Sequence, residues 1–561
     1  EGYSAYIDTI RLVKIGSSAG GQTSAPAQST PATSTPAQST PADAAGFSNV
    51  TTFTAPINNK TADQKAFIEY TGDYTTLSSS AFKNQFHTSE NAHQSDPNAV
   101  TFSFNHTVPA GKTLSKYVLE FATDNAFTQN VLSYEGTSKS FNVYNLFIGT
   151  HYYYHVKAVY SSGNPDVSST YELDTAASGI RNLRVDGMTN VRDLGGKTTE
   201  GGAKIKQGLI YRTGAPNDSQ SQCAITAAGK KTMLDEMHVK TEIELREMGF
   251  NCPTTSPVGN SVKIYHNAME YQGGKNLIFR NIAPMLRCFD ILGDANNYPV
   301  FFHCRIGTDR TGFMGLLING VLGLPMRQIY QDYLFSNFGR IGKTSTCDQV
   351  NDDSTAGYIA QINTYPGNSF QQKCYNFLVT AGVPHEKLDT MISLLTEGTP
   401  ATNQLNQIGM LKAADFTLSG ASMTTANTAI NKNTIRNPGY NYFKLSATSQ
   451  TATYNFSVDK AFAGNLYATF LAKNTSLNIN SAMSITLDGN ALTLDTTSFA
   501  TSSIGFDNNT EYWTTWKLGS INVPSAGNHT LVIKPKTSTA LSFLDVAMFS
   551  NNGVINVAKV A

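Results

Sequence analysis

Charged residues are scarce in this chain, and neither sign is in excess. Asp, Glu, Lys and Arg make up 15% of the 561 residues, and 41 basic side chains balance 41 acidic ones. This balance gives no basis for bulk attraction to nucleic acid or to a membrane surface. The sequence also lacks any run of about 18 apolar residues, so it predicts no membrane-spanning helix.

Cysteine and tryptophan are few as well. All six cysteines lie between residues 223 and 374, and both tryptophans, Trp513 and Trp516, lie near the C-terminus. The cysteines could form up to two disulfides that leave Cys304 and one other thiol outside them, or all six could be reduced. The sequence favours neither alternative.

The length predicts several domains, with three or four as the expectation. The chain begins at Glu1 rather than Met, so we expect it to be a piece of a longer protein. Residues 1–16 contain an alternating strand that aligns with residues 541–549, which predicts the last strand of a truncated upstream β-module; chance similarity is the other explanation. Residues 17–46 repeat Pro-Ala-Gln-Ser-Thr and predict an extended Ser/Thr/Pro linker.

Residues 97–176 alternate apolar and polar side chains between turns, which is typical of a β-sandwich. Residues 146–159 resemble the corner and following strand of fibronectin type III domains. The resemblance implies that Tyr152 is the corner tyrosine and that Tyr154, Val156 and Ala158 face the core. We assign residues 47–177 to this module, including the less regular residues 47–96.

The most informative stretch is residues 300–312, which reads as a short apolar strand, a tight polar loop and the start of a helix. Five residues separate Cys304 from Arg310. A loop that turns its backbone N–H groups inward and leads into a helix N-terminus, expected at Thr311, stabilises an anion. Such a loop would lower the pKa of the Cys304 thiol, which is roughly 8.5 for free cysteine, and would then hold a phosphate group.

Each residue type in this loop has a physical role in that chemistry. Cys304 is the predicted nucleophile, and the guanidinium of Arg310 is a permanently charged fork for phosphate oxygens. The Thr311 hydroxyl can donate to the Cys304 sulfur. The remaining predicted phosphate-binding positions are Arg305, Ile306, Gly307, Thr308 and Gly312, of which the two glycines allow a close backbone approach.

The string His303 to Gly312 resembles the His-Cys-x5-Arg-Thr-Gly motif of cysteine-dependent phosphatases. Four further segments are similar to landmarks of the atypical bacterial tyrosine/lipid phosphatase family: residues 189–196, 208–214, 241–247 and 332–337. Glu244 stands where that family usually has Asp. The resemblance covers residues 178–400 and implies an α/β domain with a largely parallel central sheet.

The resemblance also implies supporting roles. His303 would orient the loop, and Arg192 and Asp193 would brace the site. The general acid is open: Asp309 is favoured because the family implicates the Asp before the loop Arg, although it could instead only brace the loop. The alternatives by sequence distance are Asp290, Asp294 and Glu270.

One departure from the family bears on the substrate. Thr308 stands where the family often has Lys, and Arg305 directly follows the cysteine, as is typical of phosphatases that act on inositol lipids. Two arginines in one loop predict a substrate with more than one phosphate, unless Arg305 points to solvent. The substrate class therefore stays open between phosphotyrosine, phosphoinositide and inositol polyphosphate. No metal or other cofactor is expected, because protein groups supply the nucleophile and the phosphate cradle.

Residues 408–561 return to strand alternation. Residues 518–531 resemble a run found in galactose-binding-like carbohydrate-binding modules, which implies glycan contact through Trp513 and Trp516. Because residues three apart on a strand face opposite sides, we expect at least one tryptophan to lie in the core. The other interpretation is a sandwich with a structural or protein-contact role.

The sequence therefore predicts a multidomain protein with an α/β cysteine-phosphatase domain flanked by all-β sandwich modules. We expect a secreted or cell-surface bacterial phosphatase that forms a cysteinyl-phosphate. The alternative is a glycan- or surface-binding protein whose phosphatase domain is inactive, although the intact Cys304, Arg310 and Thr311 argue against it. A sulfur-transfer domain has a similar cysteine loop, but Arg310-Thr311-Gly312 and the segment 190–196 disfavour it.

Overall fold

A computed structural model describes residues 44–560 except 90, 219–222, 248–251, 271–274, 340–356, 399, 426–437, 473–475, 497 and 501–511. These residues belong to one compact unit, Pro41–Ala561. The predicted strand in residues 1–16, and all but the last three residues of the predicted linker, lie outside the described residues.

Two short helices, α1 (Ala62–Ile68) and α2 (Ser79–Gln85), lie between the first strand of the N-terminal sandwich and its other strands. Helix α1 begins with a capping box, in which Thr61 and Gln64 exchange side-chain to backbone hydrogen bonds of 3.2 Å. Phe67 contacts Phe335 and Phe338 of the central domain, with ring centroids 6.3 and 5.8 Å apart. The assignment of residues 47–96 to the β-sandwich is therefore wrong for these helices, because their aromatic side chains complete the core of the central domain.

The described part of the N-terminal sandwich contains nine strands: β1 (Phe47–Ser48), β2 (Val100–Ser103), β3 (Asn105–His106), β4 (Leu114–Ala122), β5 (Leu132–Gly136), β6 (Ser140–Val143), β7 (His151–Tyr160), β8 (Asp166–Val167) and β9 (Tyr171–Asp174). The larger sheet has the order β5-β4-β7-β8, with β9 also paired to β7, while β2 pairs with β6 and β1 with β3. Tyr154, Val156 and Ala158 are buried as predicted. The backbone N–H of Phe147 donates to the Tyr152 hydroxyl at 2.9 Å, which is the contact expected of a corner tyrosine.

Residues 178–400, the range that the sequence predicts for the central domain, contain both strands and helices, and five of the eight described helices follow the last strand. Its strands are β10 (Arg181–Asn182), β11 (Arg192–Asp193), β12 (Ile210–Thr213), β13 (Asn217–Asp218), β14 (Cys223–Ala224), β15 (Thr241–Glu244), β16 (Lys263–His266) and β17 (Val300–His303). Its helices are α3 (Ala227–Lys231), α4 (Lys275–Arg280), α5 (Ile282–Leu292), α6 (Asp309–Val321), α7 (Met326–Leu334), α8 (Tyr358–Asn363), α9 (Phe370–Ala381) and α10 (His385–Leu395). A π-helical turn, Thr232–Glu236, continues α3.

The main sheet of this domain has the order β10-β11-β12-β17-β15-β16. Strands β12, β17, β15 and β16 are parallel, as the sequence predicted, and β10 and β11 add an antiparallel edge. All four residues of β17 are buried, because a strand with parallel neighbours on both sides is covered on both faces. Residues 339–368 are described only in part, and the described part contains helix α8.

The C-terminal sandwich contains one short helix, α11 (Ile479–Ala482), and fourteen described strands. These are β18 (Ile408–Lys412), β19 (Thr417–Ser419), β20 (Ser422–Thr424), β21 (Tyr442–Leu445), β22 (Thr451–Val458), β23 (Phe462–Ala472), β24 (Ser476–Asn478), β25 (Met483–Leu487), β26 (Asn490–Ala491), β27 (Ser498–Ala500), β28 (Tyr512–Val523), β29 (Gly527–Pro535), β30 (Leu541–Ser550) and β31 (Val557–Lys559). One sheet has the order β20-β21-β30-β23-β28 with β18 on β30, and the other β19-β22-β29-β25-β26 with β31 on β22.

The first of these sheets is covered on both faces. One face packs on the second sheet, and the other contributes side chains to the core of the central domain. The contributed buried side chains are Ile408, Tyr467, Trp513, Leu544, Ala547 and Phe549. The C-terminal sandwich and the central domain therefore share a hydrophobic core and are not modules separated by a linker.

No helix in the described part of the chain is long and apolar enough to cross a membrane. Five of the six cysteines are described, and no disulfide joins two of them; Cys347 lies outside the described residues.

Candidate active site

The candidate site is the loop between the central strand β17 and helix α6. Cys304 follows β17 directly, and α6 begins at Asp309, two residues earlier than the sequence analysis expected. The first N–H groups of a helix have no acceptor within the helix, and they carry the positive end of its dipole. The loop therefore leads into a helix end that favours a bound anion.

The backbone of the loop is turned so that its carbonyl groups face outward. Each carbonyl of residues 304–307 accepts a hydrogen bond from outside the loop. His303 Nδ1 donates to the Cys304 carbonyl at 3.0 Å, and the backbone N–H of Ala215 donates to the Arg305 carbonyl at 2.9 Å. Asn190 Nδ2 donates to the carbonyls of Ile306 at 3.0 Å and Gly307 at 3.1 Å. Arg212 Nη2 also donates to the Gly307 carbonyl, at 2.9 Å. Because C=O and N–H point in opposite directions across a trans peptide, the N–H groups of residues 305–308 face the inside of the loop. Successive inward N–H groups form an anion-binding nest.

Gly307 is the residue that this backbone path requires. Its φ is +74°, in the left-handed region, and an added Cβ would lie 2.4 Å from the carbonyl oxygen of Thr213. Gly312 allows a second close approach, since a Cβ there would lie 2.5 Å from the ring of Tyr333. Both glycines were predicted from the motif, but only the structure identifies what each of them approaches.

Cys304 is buried, with 3% of its surface exposed. Burial alone would raise the pKa of its thiol, but the charge of Arg310 and the hydroxyl and backbone amide of Thr311 outweigh burial. The pKa of Cys304 is therefore below its ordinary value, which favours the nucleophilic thiolate. Burial raises the pKa of Cys223 and Cys288 to about 12, so these thiols stay protonated.

Arg310 lies on the first turn of α6, and its side chain points back across the sheet edge. Its Nη1 donates to the carbonyl oxygens of Met269 at 3.1 Å and Leu245 at 3.4 Å. Both residues follow strands β16 and β15, so the carboxyl ends of two parallel strands fix the position of the guanidinium.

His303 lies between two buried glutamates. Its Nε2 is 2.9 Å from Glu242 Oε1, and its Nδ1 is 3.8 Å from Glu244 Oε1. Burial lowers the pKa of His303, but the charges of Glu244 and Glu242 outweigh it and raise the pKa above its ordinary value. The imidazolium form donates from both nitrogens, which agrees with Nδ1 donating to the Cys304 carbonyl.

These three residues also bring one ligand atom each to within 4.8 Å of one another, a spacing that a metal ion could use. Arg246 already donates to both oxygens of Glu244, and His303 contacts Glu242. A second cation would have to displace these partners, so the arrangement fits an ion-pair network better than a metal site.

A second buried network is centred on Asp332 of α7, and it contacts the backbone of the loop through Arg212. Arg192 Nε donates to Asp332 Oδ1 at 3.0 Å and Arg212 Nη1 to Asp332 Oδ2 at 2.6 Å. The two arginines, with Lys197, lower the pKa of the Asp332 carboxyl well below its ordinary value, against the effect of burial. Arg192 also donates to the side chain of Asn190, which in turn holds the loop carbonyls.

The supporting roles of Arg212, Asp332 and Asn190 were not predicted from the sequence. The segments 208–214 and 332–337 contain the first two as charged residues among apolar neighbours, and such residues must find partners when buried. Asp193, predicted to brace the site, accepts hydrogen bonds from the backbone of Gly195 and Gly208 and pairs with Arg181 at 2.7 Å.

Part of this chain is similar in sequence to a known protein family. Residues 183–397 match the model of the tyrosine phosphatase family. The matched range includes the loop, both buried networks and the four parallel strands of the main sheet.

A relative from Cupriavidus necator carries a provisional name as a tyrosine-protein phosphatase. It is 27% identical over 191 residues, which cover 29% of this chain and 65% of that protein. The chain thus spans less than two thirds of the length of this relative. Together, the family match and the relative support a phosphatase enzyme.

Two solved carbohydrate-binding modules of family 35 also show local likeness. The module from Paenibacillus barcinonensis is 13% identical, covers 26% of this chain and 99% of its own, and has a TM-score of 0.19. The module from Clostridium thermocellum is 18% identical, covers 26% and 98%, and has a TM-score of 0.18. Likeness at this level carries no information about what this chain binds.

At the phosphatase loop, Arg305 does not extend freely into solvent. Its Nε donates to Asp218 Oδ2 at 3.1 Å, and a third of the side chain is exposed. Asp218 also lies 3.8 Å from Arg246. The ion pair holds Arg305 at the rim of the loop and offsets part of its charge.

The four candidates for the general acid fall in different places. Asp309 is the first residue of α6 and is half-buried, and its negative charge raises the pKa of Cys304, against the effect of Arg310. Asp290 pairs with Lys387 on the surface, and Asp294 caps a short helical turn. Glu270 lies next to Met269, but its two carboxylate oxygens contact Arg280 and Tyr512.

The two tryptophans of the C-terminal sandwich also fall in different places. Trp513 is 2% exposed and packs in the core shared with the central domain, so it cannot stack on a sugar. Its predicted glycan contact is therefore wrong, because this face of the sheet is covered by helices. Trp516 is half-buried and lines a cleft of about 340 Å³ with Tyr365 and Tyr467, between the central domain and the sandwich.

Proposed function

We propose that this protein hydrolyses phosphate monoesters through a cysteinyl-phosphate intermediate. The observation that carries the proposal is the set of outward-held carbonyls of residues 304–307, which turns the N–H groups of residues 305–308 toward one point beside Cys304. A dianionic phosphate fits such a nest, and Arg310 would hold its oxygens and the charge that develops during transfer.

In the first step, the Cys304 thiolate attacks phosphorus and the bond between phosphorus and the ester oxygen breaks. The leaving oxygen takes a proton from the carboxyl group of Asp309. In the second step, water attacks phosphorus and gives a proton to Asp309, the bond between phosphorus and sulfur breaks, and phosphate leaves. The Thr311 hydroxyl stabilises the departing thiolate.

Asp309 is the general acid of this proposal because it directly precedes Arg310 at the start of the helix and its side chain is half-buried, close enough to Cys304 to affect the pKa of the thiol. Glu270 is a weaker candidate, since Arg280 and Tyr512 occupy its oxygens. Asp309→Asn should lower kcat most for substrates with poor leaving groups and little for p-nitrophenyl phosphate, whose leaving group needs no proton. An equal loss for both kinds of substrate would contradict this role.

Phosphotyrosine is the substrate class that the tyrosine phosphatase match favours. Arg305 at the rim favours a second phosphate, as in phosphoinositides or inositol polyphosphates, but Asp218 offsets part of its charge. Phosphate release from these three classes decides between them. Arg305→Met should lower kcat/KM only for polyphosphorylated substrates if Arg305 contacts a second phosphate.

The first test of the function is phosphate release by the full chain with Cys304→Ser as the control. We expect turnover that vanadate inhibits, and a Cys304→Ser variant that binds phosphate without turnover. Normal turnover in that variant would refute the cysteinyl-phosphate intermediate. Absence of release from every substrate would favour a binding protein with an inactive phosphatase domain.

The predicted Ser/Thr/Pro linker and the flanking β-sandwiches are typical of secreted bacterial proteins. We therefore propose that this protein is secreted by a bacterium. Glycan binding by residues 408–561 stays a prediction, with Trp516 as its remaining aromatic candidate. A glycan array with the full chain and a Trp516→Ala variant tests it.

A further inference from the structure

The position of Arg310 depends on a backbone segment that is itself held by the C-terminal sandwich. Arg310 Nη1 donates to the carbonyl oxygen of Met269 at 3.1 Å, and Met269 N–H donates to the carbonyl of Leu245 at 3.1 Å. Glu270 is the next residue along the chain. Any displacement of the peptide between Met269 and Glu270 therefore moves an acceptor of the arginine.

The backbone of Glu270 is clamped by the fully buried Asn281. The Asn281 side chain accepts from the N–H of Glu270 at 2.7 Å and donates to its carbonyl at 2.9 Å. The Glu270 carboxylate is held separately from both sides: Arg280 Nη1 donates to Oε1 at 2.5 Å, and the hydroxyl of Tyr512 donates to Oε2 at 2.7 Å. Three side chains thus fix one residue beside the site.

Tyr512 belongs to a different part of the chain from the other two. It is the first residue of strand β28 in the C-terminal sandwich, 242 residues after Glu270, and it is 3% exposed. The guanidinium of Arg280 lies over its ring, 5.5 Å from the centroid. The neighbouring Trp513 is embedded in the core shared with the central domain, so the strand holds Tyr512 rigidly against Glu270.

We infer that Tyr512 is a positioning residue for Arg310, so that the C-terminal sandwich completes the phosphatase site. The hydroxyl of Tyr512 fixes the Glu270 carboxylate, Glu270 keeps the Met269 carbonyl in place, and that carbonyl orients the guanidinium. This inference deepens the proposed function and rests on it for the role of Arg310. It assigns to the sandwich a contribution to catalysis that does not depend on glycan binding.

The Tyr512 hydroxyl donates to a carboxylate, and hydrogen bonds of this kind are stronger than neutral ones, so part of the effect of losing it should reach Arg310. Tyr512→Phe removes only the hydroxyl and keeps the ring in the shared core. We expect kcat/KM for phosphate monoesters to fall about 10-fold, with a matching loss of vanadate affinity. The matched control is Tyr467→Phe, which removes a hydroxyl from the same interface at a residue outside the Glu270 cluster.

The second measurement follows Cys304 itself and does not need turnover. The charge of Arg310 lowers the pKa of Cys304, so a displaced guanidinium should raise it again. At a pH below the midpoint, alkylation of Cys304 by iodoacetamide, measured by peptide mass mapping, should slow about threefold in Tyr512→Phe. Tyr467→Phe should alkylate at the rate of the unchanged protein.

A third variant, Glu270→Gln, separates positioning from general stability. If Tyr512 acts through Glu270, the double variant should lose no more kcat/KM and alkylation rate than Glu270→Gln alone. Additive losses would mean that Tyr512 acts by another route. A lowered melting temperature with unchanged kcat/KM and alkylation would show a merely structural role and overturn the inference.

The two proposals fail in distinguishable ways. If the unchanged protein releases no phosphate but Tyr512→Phe slows alkylation of Cys304, the positioning of Arg310 holds and the proposed activity fails. If the protein is an active phosphatase and Tyr512→Phe equals Tyr467→Phe in both measurements, the activity holds and the inference fails.

Discussion

Arg212 and Asp332 form a buried ion pair directly beneath the candidate phosphate loop. Arg212 Nη1 lies 2.6 Å from Asp332 Oδ2, while Nη2 of the same guanidinium donates to the carbonyl of Gly307 at 2.9 Å. One side chain thus connects a buried carboxylate on α7 to the backbone of the loop. The shape of the loop is therefore coupled to charges that never contact the substrate.

Asp332→Asn should destabilise the protein strongly, because it leaves Arg192 and Arg212 without their buried counter-charge. Removing one partner of a buried pair typically costs about 3–5 kcal/mol. Denaturant unfolding measures the loss, and phosphate binding should weaken as well, since Arg212 holds the loop. The control is Asp290→Asn, which changes a half-exposed carboxylate on α5 paired with Lys387 and should cost under about 1 kcal/mol. Equal effects of the two substitutions would contradict the network.

Gly307→Ala should abolish most of the activity while leaving the fold intact. The added Cβ would lie 2.4 Å from the Thr213 carbonyl, so the loop must shift and its N–H groups lose their common focus. A misplacement of about 1 Å at such a site can lower the rate about 100-fold. Gly202→Ala is the control: its φ of +85° is similarly left-handed, but nothing lies within 4 Å of the new Cβ, so it tests backbone strain alone. Isothermal titration with vanadate measures binding of the phosphate analogue, and kcat/KM measures activity, in each of the two variants.

Cys304 should react with iodoacetamide at a lower pH than the buried Cys223 and Cys288. Its folded-state pKa is lowered, so its thiolate is populated below the pH at which an ordinary cysteine ionises. Burial raises the pKa of Cys223 and Cys288 to about 12, and they should stay unlabelled near neutral pH.

Arg310→Met should shift the labelling of Cys304 to higher pH, because it removes the charge that favours the thiolate. The matched control is Arg184→Met, which removes a half-exposed arginine elsewhere in the domain. An unchanged Cys304 profile in Arg310→Met would mean that the arginine does not stabilise the thiolate.

Trp513→Ala should destabilise the central domain and the C-terminal sandwich together. Truncating a buried aromatic side chain costs about 3–5 kcal/mol, and Trp513 lies in the core that both share. Circular dichroism and cysteine accessibility in the central domain should therefore report a single unfolding transition, shifted to lower denaturant. Trp516→Ala removes a half-buried side chain and should shift the same transition less. Two separate transitions would show that the domains unfold independently.

Lys60→Met should stabilise the protein most at low and neutral pH. Burial, with a contribution from Arg181, lowers the pKa of Lys60 from 10.5 to about 7, so the folded protein loses this proton before the unfolded chain does. The penalty for the buried charge is therefore full below pH 7 and disappears as pH rises toward 10.5. The gain in unfolding free energy should be at most about 4 kcal/mol at pH 7 and vanish near pH 10.5. Lys65→Met, a change of a half-exposed lysine, should show no such trend.

The sequence by itself determined the local elements of the candidate site. A buried apolar run, two glycines and the Cys-x5-Arg spacing were enough to place a strand, a tight loop and a helix, and the parallel central sheet followed from the family resemblance. Alternation likewise located the strands of the C-terminal sandwich, as in Thr451–Val458, because a strand with one buried face must repeat every two residues.

Only the tertiary structure decided which distant groups support those elements. Arg212 pairs with Asp332, Arg310 donates to the carbonyl of Met269, and Tyr512 donates to Glu270. Each pair joins segments that are far apart in the chain, so no local sequence pattern predicts it. The sequence also did not predict that α1 and Trp513 pack into the core of the central domain. A half-apolar helix or strand signals that one face must be buried, but not which other surface covers it.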